Sequence, residues 1–465
     1  MRTVTRLRTA GALLLGLTLA ACAAAGSGLD QPPAASAEEA PGGAADSPSP
    51  ATSSEGPAGG KEPASLPADP EAFRGLGKLA FVREGRLYIL DGETGALREV
   101  DGAAPASAPS WSADGRWLAF RQGEGDESRI VVAEAATGAI RELTGLPGPV
   151  EEYEWAATGS ALAVAAGNAI WLVDDPARPQ PRRLAAPDGP FGALTWSPDG
   201  RHIAYVVGLP DENVEARSDA LEVVDTAEGK AVRWYVAEEA GIVPAGWWPD
   251  SRGILFWVLP QHSNSIAADG LPLQSLALGS HEPVALPDTL LYQSWVAWRP
   301  GSGELLLVQG SGRPVWDGKA LALCNPGTGA CRNLPQPEDT VSLDPAWSPD
   351  GQRIALVRAQ RRPEEWGFTG DDQVMEWVES RRLWVMAADG SGAREMATAG
   401  GGIYNPTWSR DGRHLLYVQK GALRVLDLET GQTRWVADLG EPENDFGFYG
   451  HIGQWAQQMD WHQGP

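Results

Sequence analysis

The stretch Pro345-Ala346-Trp347-Ser348-Pro349-Asp350-Gly351 decides the fold, because the same phrase returns along the chain. Proline fixes φ, the aspartate side chain bonds its own backbone and glycine tolerates positive φ, so each copy predicts a tight turn. Close copies lie at 109–115, 195–200 and 406–412, and weaker copies are centred on Trp155, Trp247 and Trp298.

The tryptophan before each turn has enough apolar area to fill a gap between packed sheets, so we expect the motif residues to be structural. Those of the four close copies are Trp111, Asp114, Gly115, Trp196, Asp199, Gly200, Trp347, Asp350, Gly351, Trp408, Asp411 and Gly412. Successive tryptophans from Trp111 to Trp408 are 41 to 61 residues apart, and alternating apolar strands follow each turn. This period, with its glycine and tryptophan punctuation, predicts an all-β fold, a β-propeller of four-stranded blades.

The two ends of the repeat region complement each other. The unit at 78–100 has three strands but no tryptophan strand before it, and the segment 457–461 has a tryptophan strand with nothing following it. Joining them closes the ring with the C-terminal strand and predicts eight blades. Seven blades, with one unit fused or the C-terminus only docked, is the alternative.

The repeats resemble those of the TolB-like propellers with WD40-like repeats, over roughly residues 75 to 465. The resemblance implies four-stranded blades around a central channel, with the tryptophan near the end of each innermost strand. It also implies protein or peptide partners more than substrates.

The N-terminus is typical of an exported protein. Residues 1–21 carry three arginines and then an apolar run too short to span a bilayer, which indicates a signal peptide. The run ends Leu19-Ala20-Ala21-Cys22, which resembles the lipobox of bacterial lipoproteins. The resemblance implies that Cys22 is lipidated and holds the chain at the extracytoplasmic side of the cell membrane. The alternative is an ordinary secretory signal with a chance cysteine.

Composition divides the rest into a tether and a body. Residues 22–73 are mostly Ala, Pro, Gly, Ser and Glu, which cannot bury enough apolar surface to order themselves, so we expect a disordered tether before a propeller at 74–465. The net charge of −24 disfavours nucleic acid as a partner. Local basic patches remain open at Arg361-Arg362 and Arg381-Arg382.

The other two cysteines flank a hairpin. Cys324 and Cys331 lie on either side of a turn rich in Gly, Pro and Asn, where flanking residues stand opposite each other. Outside the cytoplasm such a pair oxidises, so we predict one disulfide.

Long insertions favour one face of the propeller. Connections between second and third strands, and between a fourth strand and the next first strand, emerge on the same face, which we name the elaborated face. Function tends to lie in such loops on a rigid scaffold. The insertions are residues 208–220, 259–272, 309–317, 359–382 and 440–456.

Two of these insertions mix aromatic and acidic residues, which suits a cationic, peptide or carbohydrate ligand. The alternative is that the rings pack their own loops and cap the channel. Adjacent acids at 371 and 372 lack the spacing of a calcium loop, and no histidine pair has metal-ligand spacing. The ligand-binding candidates are Trp366, Phe368, Asp371, Asp372, Trp377, Phe446, Phe448, Tyr449, His451 and Trp455.

These patterns favour a lipid-anchored binding or scaffolding module, a monomer without a cofactor or metal, that recognises an envelope protein or peptide or a carbohydrate. No Gly-x-Ser-x-Gly nucleophile elbow and no additional hydrolase domain accompany the repeats, so we expect no enzyme. The alternative function is an extracytoplasmic hydrolase or lactonase that uses carboxylates, with or without a metal, at the channel mouth.

Overall fold

The structure, a computed structural model, describes residues 67–125, 128–209, 218–260, 268–363, 371–398, 400–440, 450 and 455–464. Its strands form eight antiparallel sheets of four strands each. The predicted all-β propeller of eight four-stranded blades is confirmed, and the alternative of seven is wrong.

The blades are numbered in chain order, each from its innermost to its outermost strand. Blades 1 to 4 contain β32 (Met459–His462), β1 (Lys78–Arg83), β2 (Arg86–Asp91), β3 (Ala96–Glu99); β4 (Ala106–Trp111), β5 (Trp117–Gln122), β6 (Arg129–Glu134), β7 (Ile140–Glu142); β8 (Val150–Trp155), β9 (Leu162–Ala166), β10 (Ala169–Val173), β11 (Arg182–Ala185); β12 (Phe191–Trp196), β13 (His202–Gly208), β14 (Asp219–Asp225) and β15 (Ala231–Ala237). Blades 5 to 8 contain β16 (Ala240–Trp247), β17 (Gly253–Pro260), β18 (Leu271–Ala277), β19 (Val284–Thr289); β20 (Val296–Trp298), β21 (Leu305–Gln309), β22 (Ala320–Cys324), β23 (Cys331–Asn333); β24 (Thr340–Trp347), β25 (Arg353–Gln360), β26 (Arg382–Ala387), β27 (Arg394–Glu395); β28 (Ile403–Trp408), β29 (His414–Gln419), β30 (Ala422–Asp427) and β31 (Thr433–Asp438). Helix α1 spans Asp371–Ser380, and helix α2 spans Trp455–Gln458.

The ring closes with strands from both ends of the chain. Strand β32 pairs antiparallel with β1, with Trp461 opposite Leu79. Asp460 then joins blade 1 to blade 2, because its Oδ2 accepts the Trp111 backbone N–H at 2.7 Å. The predicted closure by the C-terminal strand is confirmed.

The repeated turn is held by its own side chains. In the first copy Ser112 Oγ donates to Asp114 Oδ1 at 2.7 Å, and the Arg116 N–H donates to the same oxygen at 3.0 Å. The second copy repeats these bonds between Ser197, Asp199 and the Arg201 N–H. Gly115 has φ of 65°, which explains why glycine ends the phrase.

The repeated tryptophan also joins neighbouring blades. In four of the copies the indole N–H donates to the carbonyl of the residue just before the equivalent tryptophan in the preceding blade. An N–H donor buried without a partner costs free energy, so these bonds fix the position of each ring between the sheets. The pairs are Trp111 with Asp460, Trp155 with Ser110, Trp247 with Thr195 and Trp408 with Ala346.

Several innermost strands contain a β-bulge. At two of these bulges an acidic side chain from the preceding blade accepts backbone N–H groups. Ala193 in blade 4 has φ of 56°, where the register of β12 shifts. Glu152 of blade 3 accepts the N–H groups of Ala193 and Leu194, both at 2.8 Å. Asp344 of blade 7 plays the equivalent part for blade 8, where it accepts the N–H of Asn405, whose φ is 49°, at 3.4 Å. A bulge leaves backbone N–H groups outside the ladder, and the carboxylates satisfy them.

The last blade is covered at its outer edge by residues from the end of the predicted tether. Ala68 forms an isolated bridge with Ala437, and the Asp69 N–H donates to the Val436 carbonyl at 2.7 Å. Ala72 and Phe73 are buried nearby. Residues 67–73 therefore pack on the body, whereas Cys22 and the rest of the tether lie outside the described residues.

The predicted disulfide is present. Cys324 and Cys331 stand opposite each other in β22 and β23 and are bonded through their sulfurs. The pair lies in blade 6, where β23 has only three residues.

The described part of the chain contains no helix that is long and apolar enough to cross a membrane.

Candidate functional site

Long connections of three consecutive blades meet on the elaborated face. In blades 5, 6 and 7 the second and third strands are joined by residues 261–270, 310–319 and 361–381. On the opposite face, the turns between first and second strands are short repeats of the Trp-Ser-Pro-Asp-Gly phrase. We name the described parts of these connections, residues 268–270, 310–319, 361–363 and 371–381, the loop layer.

An ion pair joins the layer between blades 5 and 6. Arg313 donates from Nε to Asp269 Oδ1 at 2.5 Å and from Nη2 to Oδ2 at 2.6 Å. The Gly312 N–H adds a bond to the Asp269 carbonyl at 2.7 Å. Hydrogen bonding to Arg313 lowers the pKa of Asp269. A two-point contact of this kind fixes the relative orientation of both loops.

Blades 6 and 7 are joined by charged and aromatic contacts. Arg361 Nε lies 2.7 Å from Asp317 Oδ1, and the Arg362 N–H donates to the Trp316 carbonyl at 2.9 Å. The rings of Trp316 and Trp377 are buried and meet edge-on, with centroids 6.2 Å apart. Such aromatic pairs add about 1 kcal/mol beyond the area they bury.

Lys319 holds the blade 6 connection from inside. Its side chain is buried, and Nζ donates to the carbonyls of Ser311, Gly312 and Asp317 at 3.1, 2.8 and 2.9 Å. Burial lowers the pKa of Lys319 to about 8, against the raising effect of Asp317. Lys319 therefore holds the two ends of the blade 6 connection together through these three hydrogen bonds.

A buried ion pair ties the layer to blade 8. Arg381, which follows α1, places Nη2 2.8 Å from Asp344 Oδ2 in the innermost strand of blade 7. Arg381 Nε donates to the Ile403 carbonyl at 3.0 Å, and its guanidinium carbon lies 3.9 Å from the centroid of the Tyr404 ring. Asp344 also accepts the Trp295 indole N–H at 3.1 Å. Blades 6, 7 and 8 are therefore fixed to one buried centre.

Helix α1 presents an acidic and partly apolar surface above this base. Asp372 and Glu376 are exposed, and Met375 is 43% exposed. Trp377 and Val378 on the other side of the helix are buried. The described residues thus place a flexible apolar side chain, Met375, beside carboxylates, on a helix that Trp377 and Val378 anchor to the body.

The connection after blade 8 touches the same layer. Gly450 lies so close to Val315 and Trp316 that a Cβ atom on it would stand 2.7 Å from Val315 Cγ2. Gly450 therefore lies against the blade 6 connection. At Gly450 the close approach requires glycine.

The structure places the predicted site residues in different surroundings. Asp372 is on the exposed side of α1, and Asp371 begins this helix. Trp377 and Trp455 are fully buried, so both rings support the loops from below, as the packing alternative proposed. The remaining candidates, Trp366, Phe368, Phe446, Phe448, Tyr449 and His451, lie outside the described residues.

The two arginine pairs that the sequence left open as basic patches are paired with acids. Arg361 contacts Asp317, and Arg362 Nη2 lies 3.1 Å from Glu376 Oε2. Arg381 contacts Asp344, and Arg382 Nε lies 3.7 Å from Glu395 Oε1. These arginines serve the fold of the layer and form no basic surface.

Sequence reasoning missed the charged residues that build the layer. Asp344 had a signal, because it is an acid between the apolar residues Leu343 and Pro345 of strand β24, where a buried charge requires a partner. Arg313 and Asp269 had none, because they are 44 residues apart in loops whose approach depends on the angle between blades.

The fold and this layer define an eight-bladed β-propeller with one elaborated face. Within that class the propeller is TolB-like. The chain is 33% identical to the Tol-Pal system protein TolB of Anaeromyxobacter dehalogenans over 98 residues, which cover 15% of this chain and 22% of that protein. The match thus spans about a fifth of the curated relative's length. No known protein-family profile matches the chain.

Solved structures share the fold at low identity. The dipeptidyl peptidase 4 of Porphyromonas gingivalis is similar with a TM-score of 0.56 and 9% identity, covering 80% of this chain and 59% of that chain. A eukaryotic initiation factor is similar with a TM-score of 0.50 and 15% identity, covering 81% of this chain and 90% of that chain. At these identities the likeness concerns the fold alone.

The expectation that the chain is not an enzyme is wrong. It treated a propeller without an attached hydrolase domain as a sign of binding alone. The structural comparison overturns this, because the same fold occurs in a protein named as a peptidase. The fold therefore carries no argument against catalysis. Within the described ranges, no group of three or more His, Cys, Asp or Glu residues is placed to hold a metal ion.

Proposed function

We propose that this chain is a membrane-anchored extracytoplasmic lipoprotein whose propeller binds a protein or peptide of the cell envelope through the loop layer. The anchor would be lipidated Cys22, exposed after removal of residues 1–21, with the tether leading to the body. The body's first described residues run along the outer edge of blade 8, so the tether reaches the propeller at its rim.

The observation that carries the proposal is that side-chain contacts join the connections of the loop layer to one another. On the opposite face, short turns are enough to join the first and second strands of each blade. On the elaborated face, three long connections are joined by the Asp269–Arg313 pair, the edge-on contact of the Trp316 and Trp377 rings and the buried Arg381–Asp344 pair. A surface ordered in advance loses little conformational entropy when a partner binds, which raises affinity.

The chemistry of the exposed side of α1 indicates the partner. Met375 offers a polarizable apolar contact, and thioethers adapt to varied surfaces. The exposed carboxylate of Asp372 on the same helix favours lysine or arginine side chains. The relative TolB is named as a protein of the Tol-Pal system, and by analogy we propose that the partner of this chain is a protein. A scaffold and a peptidase both bind a polypeptide, so this proposal does not depend on whether the chain also catalyses a reaction.

A pull-down with matched surface variants tests the proposal. The mature chain, the double variant D372K/M375K and the control variant L278K would each be used to capture proteins from envelope extracts. Leu278 is 51% exposed and follows β18, where the connection to β19 lies on the opposite face. Binding lost in D372K/M375K and kept in L278K supports the proposal. Equal capture by all three would contradict it.

Anchoring needs its own test. We expect the wild-type chain to partition with membranes and its C22S variant to be released. Release with the body still able to capture partners would separate the anchor from the binding surface. Membrane retention of the C22S variant would contradict the lipid anchor and leave the loop layer to be judged by the pull-down.

A further inference from the structure

The outermost strand of blade 4 differs from the other outermost strands. Strand β15 has seven residues. The outermost strands of blades 1, 2, 3, 6 and 7 have four, three, four, three and two residues. Short edge strands are a common defence against pairing with another chain, and blade 4 lacks that defence.

The other two long outer strands are protected in other ways. Strand β19 of blade 5 contains Pro287, which removes a backbone donor from its edge. Strand β31 of blade 8 is covered by the chain itself, since Asp69 donates to Val436 and the Asp438 N–H donates to the Pro67 carbonyl at 3.0 Å. The covered edge shows that an outer strand of this propeller accepts a further extended segment.

Strand β15 offers both an edge and apolar side chains. Its sequence Ala-Val-Arg-Trp-Tyr-Val-Ala contains no proline. Val232 is 50% exposed and Val236 is 37% exposed, and they are two of the four large apolar residues exposed in the described part of the chain. On its inner side β15 pairs with β14, and no described residue pairs with its outer side.

Charge decides which occupant fits this edge. The strand's own cation, Arg233, is paired with Glu222, whose Oε1 lies 2.9 Å from Nη2. Glu238 and Glu239 at the end of the strand are exposed. Pairing two copies of this chain would bring together two chains of net charge −24 each, which repel each other. The edge favours a different polypeptide that carries basic residues.

We propose that the outer edge of β15 binds an extended, basic segment of a partner polypeptide as a fifth strand of blade 4. Main-chain hydrogen bonds supply affinity in such strand addition, and alternate side chains supply specificity. The register of β15 shifts at Trp234, so Val232 and Val236 lie on opposite faces of the blade. Side chains on the two faces of the added segment cover one valine each, and a lysine or arginine lies near Glu238 and Glu239. This site is separate from the loop layer.

The test uses a short synthetic peptide and the full mature chain. The probe is the acetylated and amidated peptide KVTVTVK, with EVTVTVE as its charge-reversed control and KVTPTVK as a control that cannot form a continuous strand. Binding is measured by fluorescence anisotropy, and backbone protection is measured by hydrogen exchange. The variant V232K/V236K places lysines on the edge, and L278K serves as the matched surface control.

We expect KVTVTVK to bind wild type and L278K alike and to bind V232K/V236K at least about tenfold more weakly, with slower exchange at 231–237 on binding. EVTVTVE and KVTPTVK should bind at least about tenfold more weakly than KVTVTVK. Absence of KVTVTVK binding, equal binding by V232K/V236K, or protection elsewhere would overturn the proposal. Self-association of wild type that V232K/V236K abolishes would overturn it in favour of a second copy at this edge.

Discussion

Arg381 and Asp344 form an ion pair in which Nη2 and Oδ2 lie 2.8 Å apart and both side chains are only 3% exposed. The pair stands where the connection that carries α1 meets the innermost strands of blades 7 and 8. If one partner is removed, the other stays buried without water or a counter-charge, which destabilises the fold. Because Arg381 follows α1, the same pair also holds the helix of the loop layer in place.

Replacement of Arg381 by methionine should therefore be costly. We expect R381M to lower the free energy of unfolding by about 3–5 kcal/mol, because it leaves the Asp344 carboxylate buried without its cation. The matched control is R86M, which removes an exposed pair with Glu99 and should cost less than about 1 kcal/mol. Urea unfolding of both variants measures the difference. Similar costs for the two would show that the Arg381–Asp344 pair is not buried as described.

Glu152 should make stability depend on pH. Burial raises the pKa of its carboxyl group from 4.5 to about 7, although the N–H groups of Ala193 and Leu194 lower it. The folded state then binds a proton that the unfolded state releases, so the stabilisation is complete below about pH 4.5 and is lost as the pH rises through 7. Between about pH 5 and 8 we expect a loss of about 2 kcal/mol in the wild type.

The variant E152Q isolates this effect, since an amide does not titrate in that range. Its free energy of unfolding, measured by urea unfolding at a series of pH values, should change less between about pH 5 and 8 than that of the wild type. Identical pH profiles for the two proteins would mean that the carboxyl group is already ionised in the folded state at pH 5.

Closure of the ring should depend on the last tryptophan. Trp461 is buried and donates its indole N–H to the Leu76 carbonyl at 2.6 Å. We expect W461A to cost about 3–5 kcal/mol, because it empties a core position in the strand that closes blade 1. The control W435A, on the partly exposed outermost strand of blade 8, should cost less. A W461A variant as stable as the wild type would contradict closure by β32.

The disulfide should stabilise the edge of blade 6. The double variant C324S/C331S should lose about 2 kcal/mol, because the bond restricts a short loop of the unfolded chain. Reduced wild type should unfold at the same urea concentration as the double variant. If oxidised and reduced wild type have the same midpoint, the hairpin hydrogen bonds alone hold β23.

The repeats and the closure were predictable because they depend on local patterns. The phrase around Trp347 specifies a turn within seven residues, and the missing strand before Lys78 matches the spare strand at Trp461. The insertions were predicted to share one face because alternating connections in a propeller must do so, and the strand order agrees.

The inner structure of the site was less predictable. Trp377 was a ligand-binding candidate because it lies among acids, with packing of its own loop as the alternative, and the structure buries it. Val374, Trp377, Val378 and Arg381 follow helical spacing, which the pattern alone could have shown. The ion pairs between loops had no such signal, because partner choice depends on how neighbouring blades are rotated. For the same reason Arg361 and Arg381 looked like basic patches until their acids were located.

Site-specific crosslinking tests the central claim, that the loop layer binds a protein partner, most directly. Met375 and Leu278 would be replaced in separate variants by the photoreactive residue p-benzoylphenylalanine, and cells that express each variant would be irradiated. The account predicts a discrete crosslinked protein from position 375 and none from position 278. No adduct at 375, or the same adduct at both positions, would contradict it.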